Sequence, residues 1–313
     1  MKSVYVTFDF PELGIKLLKE NGFLVEVNKS SQTPQKNQLK RIFSNFDAVV
    51  TSINDNIDDN ILSIKKCKLK LIANYAVGWD NIDLLTAKRF GVTVCNTPSA
   101  AGESVAEHAF MLLLACAKNL IKLDKYVRLG KYKRWEANTF LSSHVWGKNL
   151  GIVGLGNTGT FVAQIAYGGF RMKIFYYDQN RFEDFELLTE AKYYSLDHLL
   201  KESDFVSIHL PLTSKTKHLI GKEELRVMKK TAILINTSRG EIIDEEFLIS
   251  TLKEKNIAGA GLDVFENEFN ISHKLTLLDN VILTPHIGSY AVEARVNMEV
   301  QAVKNLIEGL KNA

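Results

Sequence analysis

Three side chains in the C-terminal half have the types and positions needed for chemistry. Arg239 follows an apolar run at 232–236, Glu268 follows one at 259–263, and His286 follows one at 281–284. In an open parallel α/β sheet, ligands bind beyond the carboxyl ends of the strands, so three consecutive strand ends would deliver these groups to one place. Arginine offers a planar fork matched to a carboxylate. Histidine exchanges a proton near neutral pH. A glutamate beside it would orient the ring and stabilise the imidazolium. The set suits a substrate that bears a carboxylate and whose carbonyl becomes a hydroxyl. Each residue also has a plainer alternative: a structural loop histidine, a salt-bridged surface arginine, a solvated acid next to Glu266. His209 and His218 also stand near a strand end, and His209 is read as lining a cofactor crevice. His108, His144, His198 and His273 read as helix caps or surface positions.

A second constellation precedes these. The apolar run 150–153 leads directly into Gly154-Leu155-Gly156-Asn157-Thr158-Gly159, and 160–167 reads as a helix. In this strand–turn–helix context the first glycine permits a tight turn. The second lets the backbone approach a pyrophosphate, and the third lets the helix pack close to the strand. The helix N-terminal N–H groups would then face phosphate. A second apolar run, 173–177, ends at Asp178. An acid there would bind ribose hydroxyls and repel a 2′-phosphate, which favours NAD over NADP. Arg181 nearby works against that preference.

The elements that must hold these groups are strands and helices in alternation. Apolar runs at 4–8, 24–27, 48–51, 71–73 and 93–95 are separated by helical stretches. A fresh series follows at 149–153, 173–177, 205–209, 232–236, 259–263 and 281–284. This pattern predicts parallel sheets with helices on both faces. Six strands in the second half complete a doubly wound dinucleotide fold. Segment 101–120, starting near Ser99, carries Glu103 and Glu107 early and Lys118 late, as a helix dipole favours. Its apolar residues run nearly all round, so it is expected to be buried in a core or at an interface.

Composition excludes several classes. With 46% hydrophobic and 24% charged residues, the 313-residue chain is ordinary for a globular protein of two domains. A net charge of +3 argues against nucleic acid as a partner. The longest apolar run, 109–117, is too short to span a bilayer, and no signal peptide is evident, so a cytoplasmic location is expected. The three cysteines form no C-x-x-C and no cluster has metal-ligand spacing, so neither disulfides nor a metal are expected.

Further stretches extend the pattern: Asn74-Tyr75-Ala76-Val77-Gly78-Trp79-Asp80-Asn81-Ile82-Asp83, Asn96-Thr97-Pro98, Ser104-Val105-Ala106-Glu107-His108, and Ser207-Ile208-His209-Leu210-Pro211-Leu212. Ile235-Asn236-Thr237-Ser238-Arg239-Gly240, Gly261-Leu262-Asp263-Val264-Phe265-Glu266 and Thr284-Pro285-His286-Ile287-Gly288 complete it. With the glycine turn, these make the chain resemble the D-isomer-specific 2-hydroxyacid dehydrogenases over essentially its whole length. The resemblance implies two Rossmann-like domains: a discontinuous substrate domain at 1–98 and 287–313, and an NAD-binding domain at 99–286. It implies that Arg239 holds the substrate carboxylate, that His286 donates a proton to the developing alkoxide, and that Glu268 keeps His286 oriented. Backbone N–H groups of Val77 and Gly78 would also hold the carboxylate. The implied cofactor contacts are Gly154, Leu155, Gly156, Asn157, Thr158, Gly159, Asp178, His209, Pro211, Thr237, Ser238 and Asp263, with Asp263 bonding the nicotinamide carboxamide. The 101–120 helix region would form a homodimer interface. Departures are Phe269 where the family usually has proline, and Lys118 where its long helix often has arginine. Glu268 separates the chain from formate dehydrogenase relatives, which pair the histidine with glutamine.

Substrate identity is less marked. The 74–83 segment is most similar to glyoxylate/hydroxypyruvate reductases, which ranks those substrates first. Phosphoglycerate dehydrogenases usually present an arginine near the strand ending at Val50; Thr51 and Ser52 stand there instead. Tyr290 could serve as the aromatic residue of D-lactate dehydrogenases. Relatives of another class act as NAD-sensing corepressors, whose output is a protein interface.

Overall fold

The computed structural model describes residues 1–30, 32–64, 66–98 and 100–311. Ser99, expected as the start signal of the long helix, lies outside the described residues. The chain forms two compact units, Met1–Ala101 with Ser289–Ala313, and Gly102–Gly288. These divisions fall a few residues beyond the boundaries expected from the sequence.

The first unit holds a five-stranded sheet: β1 (Ser3–Val6), β2 (Leu24–Val27), β3 (Ala48–Thr51), β4 (Leu71–Asn74) and β5 (Thr93–Cys95). The order is β2-β1-β3-β4-β5 and every pairing is parallel. β3 and β4 are buried at all positions, as strands covered on both faces must be. One face packs Leu39, Ile42, Phe43, Ile61 and Leu62 against Val49 and Ile72. The terminal helix Val292–Lys311 lies against β4 and against the helix Glu12–Glu20. Its attachment is also polar: buried Glu299 accepts from the Gly14 N–H at 3.2 Å, and Asn305 Nδ2 donates to the Asn96 carbonyl at 2.8 Å.

The second unit holds a seven-stranded parallel sheet: β6 (Asn149–Val153), β7 (Lys173–Tyr177), β8 (Lys192–Tyr193), β9 (Phe205–Ile208), β10 (Ile233–Asn236), β11 (Gly259–Leu262) and β12 (Val281–Leu283). Its order is β12-β11-β10-β9-β6-β7-β8. The chain winds outward from β6 in one direction, then restarts at β9 and winds the other way. The switch point between β6 and β9 is where doubly wound sheets open a crevice for ligands. The sequence pattern predicts six strands here. The seventh, β8, is only two exposed residues long, too short to show an alternation in sequence.

The long helix spans Gly102–Ala117 and packs inside its own unit, against the helix Asn157–Phe170 and strands β10, β11 and β12. Ala106, Ala109, Phe110, Leu112, Leu113 and Ala117 are buried there with Ile152, Val162 and Ile235. Asn119 adopts a left-handed φ of 54° and breaks the helix. The next helix, Leu120–Arg128, buries no residue; Leu120, Ile121 and Val127 are exposed, as are Leu129, Trp135, Leu141 and Trp146 after it. Much of the apolar surface of 102–117 is thus covered within its own unit, Met111 staying 45% exposed, and further exposed apolar residues follow along 120–146. No single helix among the described residues is long and apolar enough to cross a membrane.

Candidate active site

At the end of β6 the glycine turn is built by three different constraints. Gly154 has φ of +100°, and a Cβ there would also sit 2.9 Å from the His209 backbone, so the turn closes against the end of β9. A Cβ at Gly159 would lie 2.1 Å from the Gly154 carbonyl oxygen, so only glycine lets the helix Asn157–Phe170 start this close to the turn. Gly156, which caps that helix, faces open space: no heavy atom lies within 4 Å of its Cβ position. That opening beside helix N–H groups leaves room for an anion such as a pyrophosphate to approach the backbone.

Asp178 follows β7 directly. Its Oδ2 accepts from the Leu155 N–H at 2.9 Å and its Oδ1 from the Asn180 N–H at 3.1 Å. The acid is therefore fixed against the glycine turn. His209, half-buried at the end of β9, has Nε2 2.8 Å from Ser207 Oγ. Burial pushes its pKa down to about 3, so the ring is neutral. The Pro211 carbonyl is held by Thr216 Oγ1 at 2.6 Å.

The loop after β10 carries Thr237, Ser238 and Arg239. Asn236 staples it, accepting from Ser238 N–H (3.0 Å) and Ser238 Oγ (2.8 Å) and donating to the Arg239 carbonyl (2.9 Å). Thr237 Oγ1 is buried and finds no hydrogen-bond partner among the described residues. An orphaned hydroxyl at the carboxyl edge of the same sheet that carries the glycine turn fits a ligand that supplies the missing partner. Arg239 Nη1 donates to the Ser238 carbonyl at 2.8 Å. A Cβ at Gly240 would overlap the Phe265 carbonyl carbon at 1.9 Å, so this loop rests directly on the backbone leading to Glu268.

His286 and Glu268 meet. The imidazole Nδ1 lies 2.8 Å from the Glu268 carboxylate, and both side chains are about a quarter exposed at 26%. His286 is held in the left-handed region, φ 54°, which costs energy for a non-glycine residue and recurs at functional sites. Its N–H donates to the Asp263 carbonyl at 2.8 Å.

Asp263 explains how the strained loop is kept. It is 1% exposed, and its carboxylate is surrounded by donors: Thr284 Oγ1 at 2.6 Å, Ile287 N–H at 3.0 Å, Gly288 N–H at 2.8 Å and His108 Nε2 at 3.2 Å. Burial pushes its pKa up, but the bonds from His108, Thr284 and Ile287 outweigh this and hold it below the usual carboxylate range. Three of the four donors approach Oδ1 and one approaches Oδ2, so the second acceptor position of Oδ2 has no partner among these donors. His108, expected as a cap or surface residue, is instead 12% exposed and part of this network. Ser104, one helical turn earlier, donates to the Gly288 carbonyl at 2.7 Å. The i, i+4 spacing of Ser104 and His108 within an apolar helix is the available signal, since two polar groups on one face need partners.

Val77 and Gly78 belong to the first unit, on the turn after β4. The Val77 carbonyl accepts from Asn96 Nδ2 and the Gly78 carbonyl from Asn74 Nδ2 at 2.9 Å, which fixes the turn's peptide planes. Asn74 is itself bonded to Asn81 and to Thr51 Oγ1, each at 3.0 Å. Thr51 is buried, and Ser52 donates its N–H and hydroxyl to the Asp55 carboxylate, so both hydroxyls at the end of β3 are engaged within the unit.

Residues 110–288 match the model of the D-isomer specific 2-hydroxyacid dehydrogenase NAD binding domain. A glyoxylate reductase of Pyrococcus horikoshii is 46% identical over 309 residues, covering 97% of this chain and 91% of that protein. Among solved structures, a Thermus thermophilus protein superposes with a TM-score of 0.91 at 36% identity, covering 99% of this chain and 97% of the other. An NADPH-dependent glyoxylate/hydroxypyruvate reductase from Sinorhizobium meliloti, solved with NADP and malonate, gives a TM-score of 0.86 at 27% identity, covering 97% and 92%.

Proposed function

The chain belongs to the D-isomer specific 2-hydroxyacid dehydrogenase family, and from that premise we propose that it reduces glyoxylate, with hydroxypyruvate as a further substrate, using NADH. The observation that carries the proposal is the His286–Glu268 pair, 2.8 Å apart in the unit that also holds the glycine turn. Bound dinucleotide supplies the hydride. The protein's part is to bind and orient the 2-oxo acid and to deliver a proton. Arg239 offers its fork to the substrate carboxylate. The Val77 and Gly78 N–H groups are proposed as further donors to that carboxylate. Glu268 holds Nδ1 of His286, which leaves Nε2 to protonate the carbonyl oxygen as it becomes a hydroxyl. Asp263 keeps the 284–288 loop in the strained shape that presents the imidazole.

Small unphosphorylated acids are favoured over phosphorylated ones because Thr51 and Ser52 supply no cation at the end of β3. NAD is favoured over NADP by Asp178, whose charge opposes a 2′-phosphate. A second copy of the chain is the partner proposed for the apolar residues exposed along 120–146. Sedimentation of the wild type against Ile121→Asp tests this dimer.

The test of the activity is NADH oxidation with glyoxylate, hydroxypyruvate, pyruvate and phosphohydroxypyruvate, run alongside His286→Ala. Preference for the first two, with a loss of about 10²–10⁴-fold in His286→Ala and NADH binding kept, is expected. Preference for phosphohydroxypyruvate would refute the substrate assignment. Binding of NADH without turnover of any acid would refute the enzymatic reading and support a cofactor-sensing role.

A further inference from the structure

The turn after β7 contains a basic residue whose charge is already taken. Arg181 lies three residues beyond Asp178. Its guanidinium forms a two-pronged pair with Glu186, Nε to Oε1 at 2.9 Å and Nη2 to Oε2 at 2.8 Å. Glu186 does not drift with its partner. Tyr176, the buried penultimate residue of β7, donates its hydroxyl to Glu186 Oε1 at 2.7 Å and accepts from the Phe182 N–H at 2.8 Å. The Glu186 side chain is 15% exposed whereas Arg181 is 57% exposed. The carboxylate is therefore the fixed member and the arginine the held one. The Arg181 and Tyr176 bonds keep the Glu186 carboxyl below its ordinary pKa range, so it is charged at neutral pH.

This matters because of what an unheld arginine would do there. Arginine is shaped for two-pronged binding of a phosphate. The turn is closed by the Asn180 N–H donating to Asp178, which fixes Arg181 on the same short loop as the acid proposed to bind the ribose. Two opposing recognition elements, an acid for hydroxyls and a cation for phosphate, thus share one turn. Glu183 and Asp184, on the same helix as Glu186, add negative charge.

We propose that Glu186 is a specificity-determining residue: by holding Arg181 in a neutral pair, it prevents recognition of a ribose 2′-phosphate and leaves Asp178 to select NAD(H). The proposal rests on the reading that the glycine turn and Asp178 bind the adenosine half of the dinucleotide. The side chain of Glu186 touches no part of the cofactor in this scheme; it acts through Arg181.

The experiment measures NADH and NADPH dissociation constants by fluorescence, without substrate, for four proteins. Glu186→Gln keeps an oxygen for the Tyr176 hydroxyl but removes the charge. It should tighten NADPH binding about tenfold, the worth of one charge-assisted phosphate contact, with NADH affinity unchanged. Arg181→Met in the wild-type background should change neither constant, because that arginine is already engaged. The double variant should return to the wild-type ratio. An unchanged ratio in Glu186→Gln would overturn the proposal, as would a gain that survives loss of Arg181. A wild type that prefers NADPH and loses that preference in Arg181→Met would also overturn it, since Arg181 would then act despite the pair. A wild type that binds neither dinucleotide would instead overturn the underlying reading of the glycine turn.

Discussion

Asp263→Asn is the most demanding test of how the proton donor is held. The carboxylate has two sides. Oδ1 receives Thr284 Oγ1 and Ile287 N–H, with His108 Nε2 3.2 Å away, and Oδ2 receives Gly288 N–H. An asparagine places its oxygen best on the crowded side. Its NH₂ then opposes the buried Gly288 N–H, donor against donor. One buried donor loses its acceptor, which costs about 1–3 kcal/mol, and the other bonds fall from charge-assisted to neutral, about 1 kcal/mol each. The sum is about 4–6 kcal/mol. For a unit of this size that lowers Tm by roughly 10–20 °C. The same slack moves the His286 imidazole, and a displacement of about 1 Å costs on the order of 10²-fold in kcat. Thermal unfolding followed by circular dichroism and NADH oxidation with glyoxylate read the two effects separately. The pH dependence has a definite sign. The folded pKa of Asp263 lies below the unfolded value of about 3.9, so its stabilisation is complete above that value and is lost as pH falls through the folded pKa. The gap between wild type and variant should therefore be full at neutral pH and close only in acid. A variant that melts with the wild type and turns over at its rate would refute the reasoning. It would show that the His286 N–H bond to the Asp263 carbonyl and the Ser104 bond to Gly288 suffice.

Two further predictions concern the glycine turn and a buried acid of the first unit. Gly159→Ala drives a Cβ to 2.1 Å from the Gly154 carbonyl oxygen and should destabilise the protein by about 1–3 kcal/mol or more, whereas Gly156→Ala meets no protein atom and should leave Tm unchanged while weakening NADH binding; circular dichroism and fluorescence titration distinguish them. In the first unit, burial raises the pKa of Asp55, whose Oδ1 has no partner among the described residues. A folded pKa above the unfolded one means that this group's contribution weakens as pH rises through that range, so Asp55→Asn should gain in Tm relative to wild type on going from about pH 4 to about pH 8. A difference that stays constant with pH would show that Asp55 does not titrate in that interval.

Much of this architecture is written locally and much is not. The glycine turn is legible because each glycine answers a short-range demand: a positive φ, an open approach, a helix start 2.1 Å from a carbonyl. The buried parallel strands are legible because burial on both faces favours apolar runs, as in β3, β9 and β10. His286 and Glu268 can be proposed because strand ends in such sheets converge, and they do lie 2.8 Å apart. Only the tertiary structure decided the rest. β8 is two residues long and exists only as a partner of β7. The helix Gly102–Ala117 has an apolar circumference that fits a core and an interface equally, and its own sheet settles which residues are covered. His108 and Thr284 are 176 positions apart, and no local pattern announces that one reaches the other. Arg181 reads in sequence as a cation that works against the NAD preference; in the fold, Glu186, anchored by Tyr176, sits on its guanidinium. Periodicity and turn chemistry describe what a segment needs within a few residues. Which polar groups meet across the sheet depends on how the strands are ordered and stacked, and that order is a property of the whole packed chain.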